Sequence, residues 1–431
     1  MYDLRKSPEK GDFPFWYNSS MNNEITVRKD IELGTWQGLG GAITEATAYN
    51  YAKLSPEKKH RLLEAYYGER GLDYRWARLS IGSNDFCLKP YRYTQKTDLS
   101  DFSIVHDEKW VIPMARDVLG KKAVKFVASP WSPPDFMKLG LKSRNYSFLK
   151  PWCFDDFAKY MKMWLSAYKN RGVDVSFVTI QNEPRAKQVW ESCIYSFLAQ
   201  KKLAYKYLAK ELKNDDVQIL LWDHNKETLS SVADRLFQGR YVTAFGKSEK
   251  IAGLCFHWYD GTFPDEMWRV RQKYPDILMM SSEMSCGFSP YDEVAWKNDA
   301  KLYCRELLND INAGASVWID WNMLLSWRGG PSYCKNYLKS PIILNEAGND
   351  FILTPIYRAL KRFAELFPVG SKVIRLNYDT NDIVAVGRKV ESSYEVVVVN
   401  VSDGKQEISV KLGDKTENRV LNELDMVKVK V

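Results

Sequence analysis

The sequence predicts an α/β protein in which a (β/α)8 TIM barrel carries an attached antiparallel β-sandwich. Eight short β-rich runs are separated for most of the chain by amphipathic helical stretches, which is typical of βα units around a parallel sheet. An open, doubly wound sheet is the alternative, but no Gly-x-Gly-x-x-Gly or Walker loop follows the first run. Beyond Phe367 the pattern becomes alternating and β-rich, which indicates a second, smaller part.

Each predicted barrel strand is a short apolar run that ends in polar or aromatic residues. In chain order the runs cover residues 37–43, 74–81, 124–131, 175–182, 217–223, 253–259, 277–283 and 315–323. Apolar residues recurring at intervals of three and four predict helices at 55–68, 154–170, 196–212 and 299–313. The first of these begins with Ser55 and Pro56, a typical helix start. Eight such units match a closed barrel.

Strands are also predicted at both ends of the chain. The runs 383–390, 393–401, 406–412 and 426–431 are β-rich and are separated by turn residues. Residues 24–33 are expected to add one N-terminal strand to them. We therefore divide the chain into a barrel at 37–366 and a β-sandwich side domain made of 1–36 and 367–431.

Composition argues against two classes of protein. Among 431 residues there are 62 Lys and Arg against 54 Asp and Glu, a net charge of +8. The basic residues are scattered, so the concentrated footprint of a nucleic-acid-binding protein is missing and no nucleic-acid partner is expected. No apolar run reaches the roughly 18 residues that a membrane span needs. The aromatic content of 14% suits either core packing or a cleft that stacks sugar rings.

Cysteine usage and the first residues bear on localisation. The seven cysteines are dispersed without a Cys-x-x-Cys pair, which favours reduced thiols in a cytosolic protein. The first dozen residues are rich in charge and lack the apolar core of a secretory signal. We therefore expect a cytoplasmic protein, or a secreted one if a signal was removed. Nothing in the sequence indicates the oligomeric state.

Two glutamates stand at predicted strand ends. Active sites of (β/α)8 barrels lie at the C-terminal ends of the strands. Glu183 follows the fourth strand within Gln-Asn-Glu-Pro, and Glu283 ends the seventh. Paired carboxylates at one mouth suit cleavage of a glycosidic bond, because one can attack the anomeric carbon while the other protonates the leaving oxygen. A lone glutamate is most often a surface or structural carboxylate, so it is the pair that supports the inference.

Other chemistries of barrel enzymes fit the sequence less well. Its four histidines lack the His-x-x-His or His-Glu-x-x-His spacing of a zinc site. No lysine stands at a predicted strand end, which argues against a Schiff base. We therefore predict neither a metal nor a cofactor.

Six motifs follow one another in a fixed order at the predicted strand ends. They are GLGGAITEA (38–46), SPWSPPDFMK (129–138), QNEP (181–184), HWY (257–259), SSEMSCG (281–287), and DWN followed by GGPS (320–332). Each is weak alone, but in this order they resemble glycoside hydrolase family 30, close to its glucosylceramidase-like branch. The resemblance extends from about residue 36 to residue 376. It implies a (β/α)8 barrel with a flanking β-sandwich.

The resemblance also implies a retaining mechanism and assigns roles to residues. Glu183 matches the family's general acid/base, and Glu283 matches its nucleophile. Asn182 matches the residue that binds the sugar 2-hydroxyl. Tyr259 would hydrogen-bond the nucleophile, and His257 would sit beside it and shape the sugar pocket. We expect Glu283 to be ionised and Glu183 to be protonated at neutral pH.

Four more residues match groups that the family uses for recognition. Arg78 matches a residue that orders the two carboxylates by charge and hydrogen bonding. Asp85 matches an acid that grips the distal hydroxyls of the sugar. Trp131 and Trp321 match aromatics that line the −1 pocket, although either tryptophan is also compatible with plain core packing.

The sequence departs from the glucosylceramidase-like pattern in two places. Ser332 stands where that branch has Asn, which puts one sugar contact in doubt. Residues 185–193 (RAKQVWESC) look like a bacterial branch with W-[DE]-S-C in this loop. The loop borders the leaving-group side, so the aglycone need not be ceramide. Arg185 and Lys187 there favour either a polar or acidic aglycone or simply a solvated loop.

The sequence thus predicts a glycosidase with a carbohydrate or glycoside substrate. Hydrolysis of β-glucosides, as in the glucosylceramidase-like branch, is the main hypothesis. An endo-β-1,6-glucanase, a β-xylosidase or a β-fucosidase of the same family remains open, as does the choice between exo and endo action. A non-catalytic sugar-binding barrel is the alternative from another class, and both carboxylates argue against it.

Overall fold

Eight parallel strands close into a barrel whose strand order follows the chain. The computed structural model describes residues 23–140, 147–239, 242 and 248–431. A first strand, β1 (Asn23–Thr35), belongs to a separate sheet. The barrel strands are β2 (Gly38–Ala42), β3 (Trp76–Ile81), β4 (Lys125–Pro130), β5 (Val175–Thr179), β6 (Gln218–Asn225), β7 (Ile251–His257), β8 (Leu278–Glu283) and β9 (Val317–Asp320). All eight predicted barrel strands, and the closed barrel itself, are confirmed.

Helices cover the outside of the barrel. They are α1 (Glu45–Ala52), α2 (Pro56–Tyr67), α3 (Val111–Lys121), α4 (Phe154–Lys169), α5 (Phe197–Lys201), α6 (Ala209–Glu211), α7 (Leu229–Phe237), α8 (Pro264–Lys273), α9 (Trp296–Asn312) and α10 (Pro355–Leu366). The Ser55 hydroxyl caps α2 by accepting from the backbone N–H of Lys58. The helix predicted at 196–212 is instead α5 and α6 joined by a π-helical segment, Lys202–Leu208.

A small three-stranded sheet follows the barrel. It consists of β10 (Leu324–Leu325), β11 (Ile342–Leu344) and β12 (Phe351–Leu353). β10 pairs in parallel with β11, and β11 pairs antiparallel with β12. Because β10 and β11 lie side by side, the chain between them, residues 326–341, forms a loop with both ends fixed at the barrel mouth.

The side domain is one seven-stranded sheet. Its other members are β13 (Lys372–Asn377), β14 (Ile383–Val390), β15 (Ser393–Asn400), β16 (Gln406–Leu412), β17 (Lys415–Leu421) and β18 (Met426–Lys430). The strand order is β17-β16-β1-β13-β14-β15-β18. The sheet is mostly antiparallel, as predicted, but β1 and β16 pair in parallel. β13 and β17 were not predicted, and residues 1–22 of the predicted side domain lie outside the described residues.

The two faces of this sheet pack differently. One face encloses a small core of its own, made of aliphatic residues such as Ile25, Ile374 and Val396. The opposite face joins the main core of the barrel through side chains such as Val384 and Val397. Successive side chains of a strand point to opposite faces, so the sheet has an apolar surface on each face. Burial of one of these surfaces against the barrel holds the sheet in place.

Polar contacts reinforce this attachment along α9. The side chain of Asn312, buried at the end of α9, donates to the carbonyl of Leu376 at 3.0 Å and accepts from its N–H at 2.8 Å. Lys301 forms ion pairs with Asp403 and Glu423 of the sheet. Every helix that the structure describes is too short or too polar to cross a lipid bilayer.

Candidate active site

The structure brings all nine sequence-predicted site residues together at the C-terminal mouth of the barrel. Arg78 lies within a barrel strand, each of the others lies at the end of a strand or in the loop that follows it, and all except Tyr259 are buried. They are Arg78 on β3, Asp85 after β3, Trp131 after β4, Asn182 and Glu183 after β5, His257 at the end of β7, Tyr259 after β7, Glu283 at the end of β8 and Trp321 after β9.

The two glutamates face each other across the mouth. Glu183 is 9% exposed and Glu283 is 6% exposed. Oxygen atoms of the two carboxyls and a ring nitrogen of His257 all lie within 4.8 Å of one another. A retaining pair of carboxyls is spaced about 5–5.5 Å apart, whereas an inverting pair needs roughly 6.5–9.5 Å for an intervening water. The close approach of the oxygens matches the shorter of these two spacings.

Glu283 is held by a donor on each of its oxygens. The Arg78 guanidinium donates through Nη1 to Oε2, and the Tyr259 hydroxyl donates to Oε1 at 2.8 Å. Arg78 also donates to Oδ1 of Asn182 at 2.9 Å. One buried cation therefore orients both the candidate nucleophile and the candidate 2-hydroxyl ligand. Among the described hydrogen bonds none joins it to Glu183, the second carboxylate that the resemblance implies it would order.

A buried negative charge, the carboxylate of Asp223, lies beneath the site. Asp223 is the last residue of the strand predicted at 217–223, and no role was predicted for it. Its carboxylate accepts from Arg78 at 2.9 Å and from the hydroxyl groups of Ser129, Thr179 and Ser282. It also lies 3.1 Å from Nε2 of His257. Burial alone would raise the pKa of Asp223, but Arg78 and His257 hold it well below its usual range.

Backbone strain is concentrated at the same mouth. Glu183, Trp222, Asp223 and Asn322 all have positive φ angles, between 47° and 78°. Side chains with a Cβ rarely adopt this conformation, and each instance costs of order 1–3 kcal/mol. These residues end or follow β5, β6 and β9, so the strain lies where the strands deliver the functional side chains. The residue types at these positions do not reveal the backbone strain in the sequence.

One proton is shared between Glu183 and His257. Nδ1 of His257 lies 3.3 Å from Oε1 of Glu183, and His257 is fully buried. Burial lowers the pKa of His257, but the charges of Glu283 and Asp223 and its hydrogen bonds raise it to about 9. Burial raises the pKa of Glu183, but the hydrogen bond from His257 and the nearby histidine charge hold it at about 2. Both directions favour the proton on His257 rather than on Glu183 in the free protein, which differs from the expectation that Glu183 carries it.

An aromatic wall borders the carboxylates. The rings of Trp131 and Trp321 stack 5.2 Å apart with an interplanar angle of 18°. Phe86 packs edge-on against Trp321, and the Arg78 guanidinium lies 5.0 Å from the Trp131 ring centre. The stacked pair thus covers the guanidinium that orders the site, and it presents flat apolar surface on which a sugar ring can pack.

Asp85 is held by a residue that sequence reasoning missed. Nδ2 of Asn336 donates to its Oδ2 at 2.8 Å, and the Ser332 hydroxyl donates to its backbone carbonyl. Burial raises the pKa of Asp85 to about 8, with a further contribution from Glu283. Ser332 therefore supports the backbone of Asp85, while Asn336 supplies an amide four residues further along. The only available signal was its place in the loop after the GGPS motif.

The loop after β5 reaches back to the candidate acid/base. Nε2 of Gln188 donates to Oε2 of Glu183 at 3.0 Å. Glu191, at 1% exposure, accepts from Ser83, Arg92 and Tyr333. The RAKQVWESC segment is therefore anchored by Glu191 to the loops that follow β3 and β10.

Glu183, His257 and Glu283 together form a donor set that could hold a metal ion. The surrounding charge opposes a cation there, because Arg78 already occupies one oxygen of Glu283. The raised pKa of His257 also places a second positive charge on a would-be ligand nitrogen. The donor set fits a proton-transfer pair better than a metal centre.

Comparison with known proteins supports this picture. Residues 36–367 match the family model described as the glycosyl hydrolase family 30 TIM-barrel domain. The chain is 26% identical to lysosomal acid glucosylceramidase of Mus musculus, over 88% of this chain and 77% of that protein. It is 24% identical to an endo-1,6-beta-D-glucanase of Aspergillus fumigatus, over 78% and 71%. The crystal structure of SrfJ from Salmonella typhimurium superimposes with a TM-score of 0.87 at 27% identity, covering 96% of this chain and 94% of SrfJ.

Proposed function

The chain belongs to glycosyl hydrolase family 30 and is a glycosidase, and on that premise we propose that it is a retaining β-glucosidase. Glu283 is the nucleophile and Glu183 the general acid/base. The observation that carries the proposal is the close approach of their carboxyl oxygens, within 4.8 Å at the barrel mouth. Arg78, Tyr259 and His257 hold this pair from three sides.

The first step forms a covalent bond between the sugar and the protein. A carboxylate oxygen of Glu283 attacks the anomeric carbon, and the bond from that carbon to the glycosidic oxygen breaks. The leaving oxygen takes a proton from Glu183. Because this proton lies on His257 in the free protein, it moves from Nδ1 to Oε1 of Glu183 across 3.3 Å when the substrate replaces water.

The second step releases the sugar with its configuration retained. Glu183, now a carboxylate, takes a proton from water, and the water oxygen attacks the anomeric carbon. The ester bond to Glu283 breaks, and Glu283 returns as a carboxylate that accepts again from Arg78 and Tyr259. The proton that Glu183 takes from the water then returns to Nδ1 of His257, so the two steps close a cycle without a cofactor.

The pocket supports a terminal glucose as the sugar that is released. Trp131 and Trp321 offer an apolar surface for one face of the ring. Asp85 and Asn336 offer an acceptor and a donor for its distal hydroxyl groups. The relative named as a glucosylceramidase favours a glucoside.

Two alternatives differ in substrate or in class. The relative named as an endo-1,6-beta-D-glucanase supports cleavage within a β-1,6-glucan, and a β-xyloside or β-fucoside would use the same carboxylates. A non-catalytic sugar-binding barrel would need a lost or misplaced carboxylate. The burial and orientation of both glutamates argue against that reading.

The proposal is tested by trapping the covalent intermediate. Incubation with 2,4-dinitrophenyl 2-deoxy-2-fluoro-β-glucoside should add one fluoroglucosyl group to the peptide that contains Glu283, as seen by mass spectrometry. Proton NMR should show the β anomer as the first product of an ordinary aryl β-glucoside. First appearance of the α anomer would exclude the retaining mechanism.

The choice of sugar needs a separate measurement. Aryl β-glycosides of glucose, xylose, fucose and galactose should be compared, with Glu283→Gln as the inactive control. Selective release from the glucoside supports an exo-acting β-glucosidase. A folded protein that leaves all four intact but cleaves β-1,6-glucan oligomers would be an endo-glucanase instead.

A further inference from the structure

Gln188 is the one residue of the RAKQVWESC loop whose side chain contacts a proposed reacting group among the described hydrogen bonds. Its Nε2 donates to Oε2 of Glu183 at 3.0 Å, while Oε1 of the same carboxyl faces His257. Gln188 is half-buried, whereas His257 is fully buried. The two partners therefore hold different oxygens of one carboxyl, His257 from a fully buried position and Gln188 from a partly exposed loop.

The loop that carries Gln188 is firmly anchored on both sides of it. Before it, the backbone N–H of Ala186 donates to the carbonyl of Glu183 at 3.0 Å. After it, Trp190 packs against the cluster of residues that includes Trp131 and Trp321. Glu191 then fixes the loop through its buried hydrogen bonds. The position of the Gln188 amide is thus set by packing, and a preorganised donor loses little entropy when it binds.

We propose that Gln188 is a positioning residue for the acid/base: by holding Oε2 it fixes the rotation of the Glu183 carboxyl, so that Oε1, which takes the proton from His257, can deliver it to the glycosidic oxygen of the leaving group. This rests on the proposed function of Glu183. When Oε1 carries the proton, Oε2 is the carbonyl oxygen of the neutral carboxyl, and it can still accept from the Gln188 amide. Gln188 then lies beside the leaving group, where its own carbonyl can accept from a hydroxyl. The aglycone that this arrangement recognises is polar, such as a second sugar.

The role has a chemical consequence that packing alone would not produce. Protonation of the leaving oxygen matters most when the leaving group is a poor one, and it matters little for 2,4-dinitrophenolate. Loss of an acid-positioning residue must therefore steepen the dependence of kcat/KM on the leaving group. A loss of folding or of general pocket shape would lower all the rates together.

The experiment compares Gln188→Ala with Val189→Ala, a matched control at the neighbouring side chain, which is 68% exposed. Both are assayed on aryl β-glucosides that range from 2,4-dinitrophenyl to phenyl. For Gln188→Ala we expect kcat/KM to fall about tenfold on the phenyl glucoside and less than about twofold on the dinitrophenyl one. Val189→Ala should match the wild type throughout. An equal loss on all leaving groups, or none, would overturn the proposal.

Gln188→Glu adds a pH signature. Near neutral pH its carboxylate repels Glu183 and cannot donate, whereas its protonated form can replace the amide N–H. Its deficit on the phenyl glucoside should therefore shrink as the pH falls towards about 5. A deficit that is independent of pH would contradict a role for the donated hydrogen bond.

A second measurement needs no turnover. The carboxyl carbon of Glu183 can be titrated by 13C NMR and assigned by comparison with Glu183→Gln. Without the amide donor its pKa should rise by about half a unit or more, while Val189→Ala leaves it unchanged. If the wild type cleaves no aryl glucoside but this shift appears, the β-glucosidase proposal fails and the positioning role stands. An unchanged titration together with unchanged leaving-group dependence refutes the role of Gln188 itself.

Discussion

Arg78 and Asp223 form a fully buried ion pair beneath the two glutamates, with Nη2 2.9 Å from Oδ2. Arg78 also donates hydrogen bonds to Glu283 and to Asn182. Asp223 lies within hydrogen-bonding distance of His257 as well. The orientation of Glu283, Asn182 and His257 therefore depends on a pair that is itself fully buried. Since neither partner is solvated, removal of one leaves the other buried without its counter-charge.

Asp223→Asn is expected to damage both stability and activity. Loss of one partner of a buried pair costs about 3–5 kcal/mol, and chemical denaturation measures it. The pKa of Asp223 is depressed in the fold, so its stabilisation is present above the unfolded value near 4 and is lost as the pH falls below it. The stability gap to the wild type should therefore narrow in acid. Asp414→Asn, in an exposed turn, is the control and should show no gap.

Glu183→Ala should separate the two chemical steps. Hydrolysis of a 2,4-dinitrophenyl glycoside should still release the phenol in a burst, because this leaving group departs without an acid. Azide should then restore turnover and give the β-glycosyl azide, since it replaces water in attack on the intermediate. The matched Glu283→Ala variant should give the α-azide. The same anomer from both variants would contradict the assigned roles.

His257→Gln should move the alkaline limb of the kcat/KM profile. In the wild type the proton shared with Glu183 is retained up to about pH 9, because the pKa of His257 is raised by Glu283, Asp223 and Glu183. Without the imidazole, only Glu183 can hold the proton. The apparent pKa of the alkaline limb should therefore fall by at least about one pH unit. His60→Gln removes an exposed histidine and should leave the profile in place. An unmoved limb in His257→Gln would refute proton sharing.

Asp85→Asn should weaken substrate binding while it stabilises the fold at higher pH. The raised pKa of about 8 means that the neutral acid fits the fold, so wild-type stability declines as the pH rises from about 4 through 8. The amide escapes this decline and can still accept from Asn336. Thermal unfolding at pH 8 should show the variant more stable by about 1–3 kcal/mol, with KM raised. A variant less stable than the wild type at pH 8 would be inconsistent with a buried neutral Asp85.

Chelation should leave activity unchanged. The donor set of Glu183, His257 and Glu283 is already paired with Arg78 and with a proton, so its chemistry does not call for a metal. Dialysis against EDTA followed by the aryl glycoside assay measures this directly. Activity that is lost on chelation and restored by a divalent ion would show that the site holds a metal.

The barrel was predictable because its strands are buried on both sides and are therefore nearly continuous apolar runs. β17 was not predicted because it is an exposed edge strand, KTENRVL, and has few apolar residues. The π-helical segment after α5 keeps helical spacing of its apolar residues, so composition alone does not distinguish it. The parallel pairing of β1 with β16 involves partners at opposite ends of the chain, which periodicity cannot specify.

The site residues that stand at predicted strand ends or within the six motifs could be predicted from the sequence. Asp223 stood at a strand end, but a lone carboxylate there does not reveal that it pairs with Arg78. Asn336 and Gln188 lie in loops whose paths are set by tertiary contacts, so their approach to Asp85 and Glu183 appears only in three dimensions. The position of the proton depends on three carboxylates converging on His257, which no linear pattern encodes.

The pairing of β1 also governs the order in which the chain can be completed. β1 leads directly into the first barrel strand, yet its two neighbours in the sheet are β13 and β16. β1 therefore has no partner strand until β13 (Lys372–Asn377) has left the ribosome, and it lacks its second partner until β16 (Gln406–Leu412) has followed. Closing so long a loop is entropically slow, and it exposes an unpaired apolar edge during synthesis. β1, the first strand of the described residues, is thus among the last to be paired, and removal of β13 to β18 would leave its edge open to aggregation.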